Sequence, residues 1–499
     1  MKKFFGLLAF FGLLLASCND DDATDGMMPP PEPIDYTSGT ADFTNLVSVG
    51  NSLTAGYSDA ALFIDGQIAS FPNMLASNFA LAGGGDFTIP FMADNLGGAT
   101  LGGQPILGNR LILSFASGSP APVPVSGQGA TEISNILTGP FNNMGVPGAK
   151  SFHLAASGYG NIAGVATGQA NPYYARFASS GSATVIGDAV AQNPTFFTFW
   201  IGNNDILSFA TSGGAGVDQT GNPDLTTYSG NDITDPTVFA SVYSGLVQAM
   251  VSNGADGVLA NIPDVTAIPY FTTVPYNPVP LDEATAALLN GAYAAYNGGL
   301  AQLQQLGAIS AEELAQRTIS FSAGSSNPVV LIDEDLTNLT AFNPALINMR
   351  QATPEDLLVF TSQTIIGTLA NPNDPTSING VAVPLADQWV LTPEEQLAIA
   401  NATAAYNQTI EAVAAQYDLA FVDASAYLNV IANGGIPLSD GSTVTDDYAT
   451  GGAFSLDGVH PSPRGYALIA NLFVEAINAK YGSNLPGVNP LDYTGLYLQ

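Results

Sequence analysis

Four short, nearly continuous apolar runs, each closed by a glycine or a polar turn residue, restrict what this chain can fold into. They are Leu46-Val47-Ser48-Val49 ending at Gly50, and Thr195-Phe196-Phe197-Thr198-Phe199-Trp200-Ile201 ending at Gly202. Further on come Gly257-Val258-Leu259-Ala260-Asn261-Ile262 and Leu419-Ala420-Phe421-Val422-Asp423. Runs of this kind belong to strands covered on both faces, the situation of a parallel sheet with helices on either side. The helices can be read too. Pro393-Glu394-Glu395 opens an Ala-rich run to about Tyr417, with Glu in the first turn where the helix dipole favours it. Ser462-Pro463 reads as N-cap and first residue of another helix. Leu468, Ile469, Leu472, Phe473, Ala476 and Ile477 form its apolar stripe, and Gly482 stops it. The expected class is α/β with a mostly parallel central sheet.

Between these elements lie Gly/Ser/Asn/Pro-rich stretches, about 60–140, 206–235 and 265–392, too long for plain connections. They read as insertions at the sheet's edge, with a helical subdomain expected around Asp282–Gln305. The fragments Ala294-Ala295-Tyr296-Asn297 and Ala404-Ala405-Tyr406-Asn407 look alike, each inside a helical run.

The N-terminus speaks to location. Lys2 and Lys3 precede an apolar run from Phe4 to Ala16, which has the length of a signal-peptide core and is short for a membrane-spanning helix. It ends in Leu15-Ala16-Ser17-Cys18, which resembles the lipobox of bacterial lipoproteins. That resemblance implies cleavage before Cys18 and a diacylglycerol on its thiol. Cys18 is the chain's single cysteine, so no disulfide forms within one chain and a packed core must supply stability. An acidic run, Asn19-Asp20-Asp21-Asp22, and a Pro-rich stretch to Pro33 follow as a solvated tether. The expected location is the bacterial cell envelope, lipid-anchored at the outer membrane and facing either way.

Charge excludes whole classes of partner. Nine Lys and Arg stand against 42 Asp and Glu, a net charge of −33. Such a polyanion repels nucleic acid and anionic headgroups, and no Walker-type glycine–lysine loop is present.

Four motifs carry candidate chemistry. Val49-Gly50-Asn51-Ser52-Leu53-Thr54 puts a serine at the C-terminal end of the first strand, where open parallel sheets form ligand crevices. Asn143-Met144-Gly145-Val146-Pro147-Gly148-Ala149 is a loop whose glycines let backbone approach a ligand. Ile201-Gly202-Asn203-Asn204-Asp205 places Asn side chains after a strand, where they can donate to a developing oxyanion. Asp457-Gly458-Val459-His460-Pro461 offers an imidazole with a carboxylate three residues earlier to orient it. The other histidine, His153, has no carboxylate within five residues, so His460 is the expected base. Asp232-Ile233-Thr234-Asp235 reads either as solvated acidic surface or as a calcium loop.

Together these segments resemble the SGNH/GDSL hydrolase family, across about residues 42–481. The resemblance implies a three-layer α/β/α sandwich with large insertions, and esterase or lipase activity without a metal or organic cofactor. Ser52 would be the nucleophile, Asp457 and His460 the rest of the triad, Asn204 an oxyanion donor, and Gly148, or else Gly145, the backbone donor. The chain departs from the family in having Asn51 where Asp is usual, which removes a charge beside Ser52. The domain plan is then signal peptide 1–17, tether 18–41, core 42–264 and 393–482, insertion 265–392 and tail 483–499. A lipid-anchored serine hydrolase of carboxylic esters is the expectation, with a glycan, lipid or small-molecule ester as substrate. The rival is a catalytically silent surface protein of the same fold that binds glycans.

Overall fold

The central sheet has five parallel strands: β1 (Leu46–Gly50), β2 (Asn143–Gly145), β3 (Phe196–Trp200), β4 (Asp256–Ala260) and β5 (Ala420–Val422). They are seen in a computed structural model that describes residues 34–498 apart from 117. The spatial order is β2-β1-β3-β4-β5, with β1 aligned on β3 from Leu46↔Phe196 to Gly50↔Trp200. The helices that matter below are α1 (Ser52–Ala55), α2 (Phe71–Leu81), α3 (Asn204–Thr211) and α4 (Pro236–Val251). After them come α5 (Glu283–Gln305), α6 (Pro393–Gln416), α7 (Ala424–Ala432) and α8 (Pro463–Tyr481).

Side chains alternate across the strands, and each face meets its own helices. Val47, Val49, Phe197, Phe199 and Leu259 pack with Phe239 and Tyr243 of α4 and Ile399 and Tyr406 of α6. Leu46, Phe196, Trp200, Val258 and Val422 pack on the other side with Phe71 and Phe79 of α2 and Tyr466 and Phe473 of α8. The result is the expected α/β/α sandwich. Its buried strands lack a polar face because neither face meets water.

Helix ends follow the sequence signals. Thr392 caps α6, and Glu395 reaches back to the Thr392 N–H in a capping box. Ser462 caps α8 through the Gly465 N–H, and Gly482 closes it in the left-handed conformation. Asn143–Gly145, read from sequence as a loop, is an edge strand, held because Ser48 and Gly50 offer parallel pairing.

The stretch 265–392 builds an apolar cluster of its own around α5, where Tyr293, Tyr296 and Leu300 meet Val330, Leu331 and Leu346. Asp282 caps α5, matching the helix expected there. The two look-alike fragments lie on α5 and α6 and use their Asn alike. Asn297 brackets the N–H and C=O of Ile319, and Asn407 those of Ile262.

The signal peptide and Cys18 lie outside the described residues. The chain engages the core sooner than the tether's expected end at 41, since Thr37 N–H bonds Asn484 Oδ1 and Thr40 N–H bonds the Tyr481 carbonyl. The expected tail also packs: Leu113 N–H reaches the Tyr497 carbonyl, and Leu485 is buried. No helix among the described residues is long and apolar enough to cross a membrane.

Within the stretch 265–392, Arg350 is buried between Asp333 (Nε–Oδ2 2.5 Å) and Asp356 (2.6 and 2.7 Å). Removing the cation strands two buried carboxylates. Arg350→Ala is expected to lower stability by about 3–5 kcal/mol. Urea unfolding reads this, and an unchanged midpoint would contradict it.

Candidate active site

The sheet's order reverses at β1: the chain steps to β2 on one side and to β3 on the other. Crevices open at such points, beyond the carboxyl ends of the strands. Ser52 lies two residues beyond β1, and Asn203 and Asn204 follow β3. Gly50 has no room for a side chain there, because a Cβ would lie 2.4 Å from the Trp200 carbonyl oxygen.

Ser52 is not the helix cap. Asn51 is: its Oδ1 accepts the Leu53 N–H at 3.0 Å, while Ser52 is the first residue of α1. That frees the Ser52 hydroxyl, which lies 2.9 Å from His460 Nε2. His460 Nδ1 lies 2.8 Å from Asp457 Oδ2. Residues 408 apart in the chain thus meet in one hydrogen-bonded line.

The Asp457 carboxylate is held from several directions. Oδ1 accepts the N–H groups of Val459 (2.9 Å) and His460 (2.8 Å) and the Ser455 hydroxyl (3.1 Å). Oδ2 also accepts the Ala60 N–H at 3.0 Å. Burial pushes its pKa up, but the His460 charge and the hydrogen bonds from His460 and Val459 outweigh this and bring it to about 2. It is ionised at any ordinary pH.

Sequence reading missed the support beneath this pair. Asp59 and Ala60 both have positive φ, 51° and 62°, in a tight turn closed by hydrogen bonds between Ser58 and Ala61. Two left-handed non-glycine residues in succession are strained. The turn aims the Ala60 N–H at Asp457 and the Asp59 carboxylate at the Leu456 N–H (2.9 Å). The Asp59 N–H also donates to Ser455 Oγ at 2.9 Å. No signal near Asp59 marks it, because its partners lie about 400 residues away.

Asn204 starts α3 and is buried. Its Nδ2 donates to the Ala149 carbonyl at 2.9 Å, which leaves its second hydrogen for another acceptor. The same bond ties down the loop carrying Gly148, which the Asn171 amide also holds through the Pro147 carbonyl (2.8 Å). Gly148 is exposed with φ +80°. Among the described residues no partner takes the backbone N–H of Gly148 or of Ser52. The Gly145 N–H is spent on Asn143 Oδ1 at 2.9 Å, which leaves Gly148 as the free donor of the two glycines.

Asn51 donates from Nδ2 to Asn203 Oδ1 at 3.2 Å. An Asp here would reverse that bond's direction by a flip of the Asn203 amide, so the departure from the family pattern costs no hydrogen bond. His153 is not part of the site's hydrogen-bonded line. Its Nδ1 accepts the Lys150 N–H, its ring stacks on Tyr159, and burial with the Lys150 charge lowers its pKa to about 4. The loop at Asp232–Asp235 is neither solvated surface nor an open calcium loop. Both carboxylates are buried, Asp232 bonding Val217, Gln219 and Ser229, and Asp235 capping α4 and bonding Gly221.

The parallel sheet, its two helix layers and the motifs gathered at its carboxyl edge agree with the α/β/α fold that the SGNH/GDSL resemblance implies.

No family model matches the sequence, and no curated protein does. Among solved structures, an acetylxylan esterase from Geobacillus stearothermophilus aligns over 88% of this chain and 97% of its own, at 10% identity and a TM-score of 0.31. A GDSL-like lipase from Parabacteroides merdae aligns over 89% and 100%, at 11% identity and a TM-score of 0.30. Likenesses this distant carry nothing about chemistry, which rests on the site's own geometry.

Asp59 gives the site a pH signature. Burial raises its pKa to about 7; the Leu456 N–H and Arg110 pull it down, while the Asp457 charge pushes it up. The folded chain therefore keeps a proton that the unfolded chain releases near pH 4, so this group's stabilisation declines as pH rises from about 4 to 7. Asp59→Asn tolerates positive φ and keeps an acceptor for Leu456. It is expected to flatten that decline and stabilise the protein at pH 8 by up to about 4 kcal/mol, at 1.36 kcal/mol per pKa unit. An identical pH–stability profile in the variant would contradict this.

Proposed function

We propose that this chain is a lipid-anchored serine hydrolase that cleaves carboxylic esters. The observation that carries the proposal is the line Ser52 Oγ–His460 Nε2–His460 Nδ1–Asp457 Oδ2, at 2.9 and 2.8 Å. A binding protein has no use for that arrangement.

In the proposed reaction His460 Nε2 takes the Ser52 proton as Oγ attacks the ester carbonyl. Asp457, ionised throughout, keeps the proton on Nδ1 and stabilises the imidazolium. The negative charge that develops on the carbonyl oxygen is met by the N–H groups of Ser52 and Gly148 and the free hydrogen of Asn204 Nδ2. His460 then protonates the leaving alcohol, and the acyl group stays on Ser52. A water gives its proton to His460, attacks the acyl-enzyme and releases the acid, restoring the serine. Every proton is handed on by His460, so the residues named need no metal or organic cofactor.

The anchoring part of the proposal rests on sequence. A lipid on Cys18 followed by an acidic, Pro-rich tether would hold the domain at the envelope, with outer-membrane placement the favoured site. Each lipid methylene buried adds about 0.8 kcal/mol to that attachment. Cys18→Ala is expected to move the exported protein into the soluble fraction, and continued membrane retention would count against lipidation.

Ser52→Ala and His460→Ala should each lower ester turnover by about 10⁴-fold or more, and the double variant little further, because the pair acts as a unit. Asn204→Ala should cost about 10²–10³-fold in kcat. Comparable rates for wild type and Ser52→Ala on every ester would sink the proposal.

A further inference from the structure

One cavity opens at Ser52 and His460. Beyond the reacting groups its wall is formed by residues such as Trp200, Leu207, Val265, Leu428 and Ile431. No Asp, Glu, Lys or Arg lines it among the described residues, although the chain carries 42 acids. A sugar ring pushed into such a slot would bury hydroxyls without partners, which is unfavourable. Methylenes gain by the same burial.

The slot's direction follows from the sheet. It starts after β1 at Ser52, passes the ends of β3 and β4 at Trp200 and Val265, and reaches α7, which follows β5. Three strand spacings of about 4.8 Å make a path of roughly 14 Å. A zigzag carbon chain advances about 1.25 Å per bond, so the path accepts about eleven carbons. Ala424, Tyr427, Leu428 and Ile431 fall at i, i+3, i+4 and i+7 of α7, so a single helix face borders the slot.

Tyr427 lies between two cavities, lining this one and also a neighbouring one of about 630 Å³ bordered by Ile436, Leu438 and Leu472. Its hydroxyl is buried and has no hydrogen-bond partner among the described residues, so packing alone holds the ring as a partition.

We infer that the slot holds a linear aliphatic acyl chain of about ten carbons, with the ester carbonyl at Ser52 and the alcohol outside, and that Tyr427 sets the length limit. This rests on the serine hydrolase reading above.

A series of p-nitrophenyl esters from acetate to palmitate tests it on the purified mature protein. Burial of a methylene is worth about fourfold, so kcat/KM should rise by on the order of 10²-fold or more from acetate to decanoate. Ala424→Trp, which puts a bulky ring on the helix face that borders the slot, should cut the decanoate-to-acetate ratio by roughly tenfold or more. Tyr427→Ala should open the partition and move the optimum to longer chains. Circular dichroism checks that both variants fold. Ser52-dependent turnover that is fastest on acetate would overturn the acyl-chain inference and leave the hydrolase reading standing. Absence of Ser52-dependent turnover on every ester would instead defeat the hydrolase reading. The slot is then read directly by calorimetry on the Ser52→Ala protein: decanoate should bind and acetate should not, and failure of decanoate to bind overturns the inference independently of catalysis.

Discussion

The Asp457 carboxylate joins the loop of His460 to the turn at Ala60, and the site depends on how it is held. It accepts five hydrogen bonds, four from its own loop and one from Ala60. In a chain with a net charge of −33, a buried carboxylate next to other acids would ordinarily take up a proton. Here the donors and the His460 charge keep it ionised, and its neighbour Asp59 takes the proton instead. Below about pH 7 these two carboxyl groups hold opposite protonation states, one orienting the imidazole and the other holding the loop beneath it.

The sheet makes that meeting possible. Parallel strands send their carboxyl ends to one edge, so residues after β1, β3, β4 and β5 share a crevice despite their separation in sequence. Neighbouring side chains lock these ends together. Trp200 Nε1 donates to the Asn261 carbonyl, and Asn261 Nδ2 to Asp423, which ties the tops of β3, β4 and β5. The stretch 265–392 is linked to the loop of Asp457 and His460 as well, through the Tyr270 N–H and the Gly458 carbonyl at 2.9 Å. Long stretches between the strands can therefore decorate the edge without loosening the geometry at Ser52.

What could be read from sequence was what is local. Four strands, the helices from Pro393 and Pro463, and the motifs carrying Ser52, Asn204, Asp457 and His460 each have their signal within a few residues. β2 has none, since three residues become a strand only where β1 offers pairing. Gly145 within it shows the constraint, because a Cβ there would sit 2.3 Å from the Ala55 nitrogen. Asp59 depends on partners near the other end of the chain, and Asp232 and Asp235 are occupied by N–H groups that the fold brings to them from Val217, Ser229 and Gly221. The cavity was illegible for another reason. The spacing of Ala424, Tyr427, Leu428 and Ile431 is that of any helix packed on a core, and only the arrangement of four strand ends turns that face toward Ser52.

The central claim is that Ser52 is a nucleophile made reactive by His460. Reaction with a fluorophosphonate, followed by mass spectrometry of the digested protein, reads this without knowledge of the substrate. Stoichiometric labelling confined to the peptide carrying Ser52, and abolished in His460→Ala, is the predicted result. An unlabelled Ser52 in folded protein, or equal labelling without His460, would contradict it.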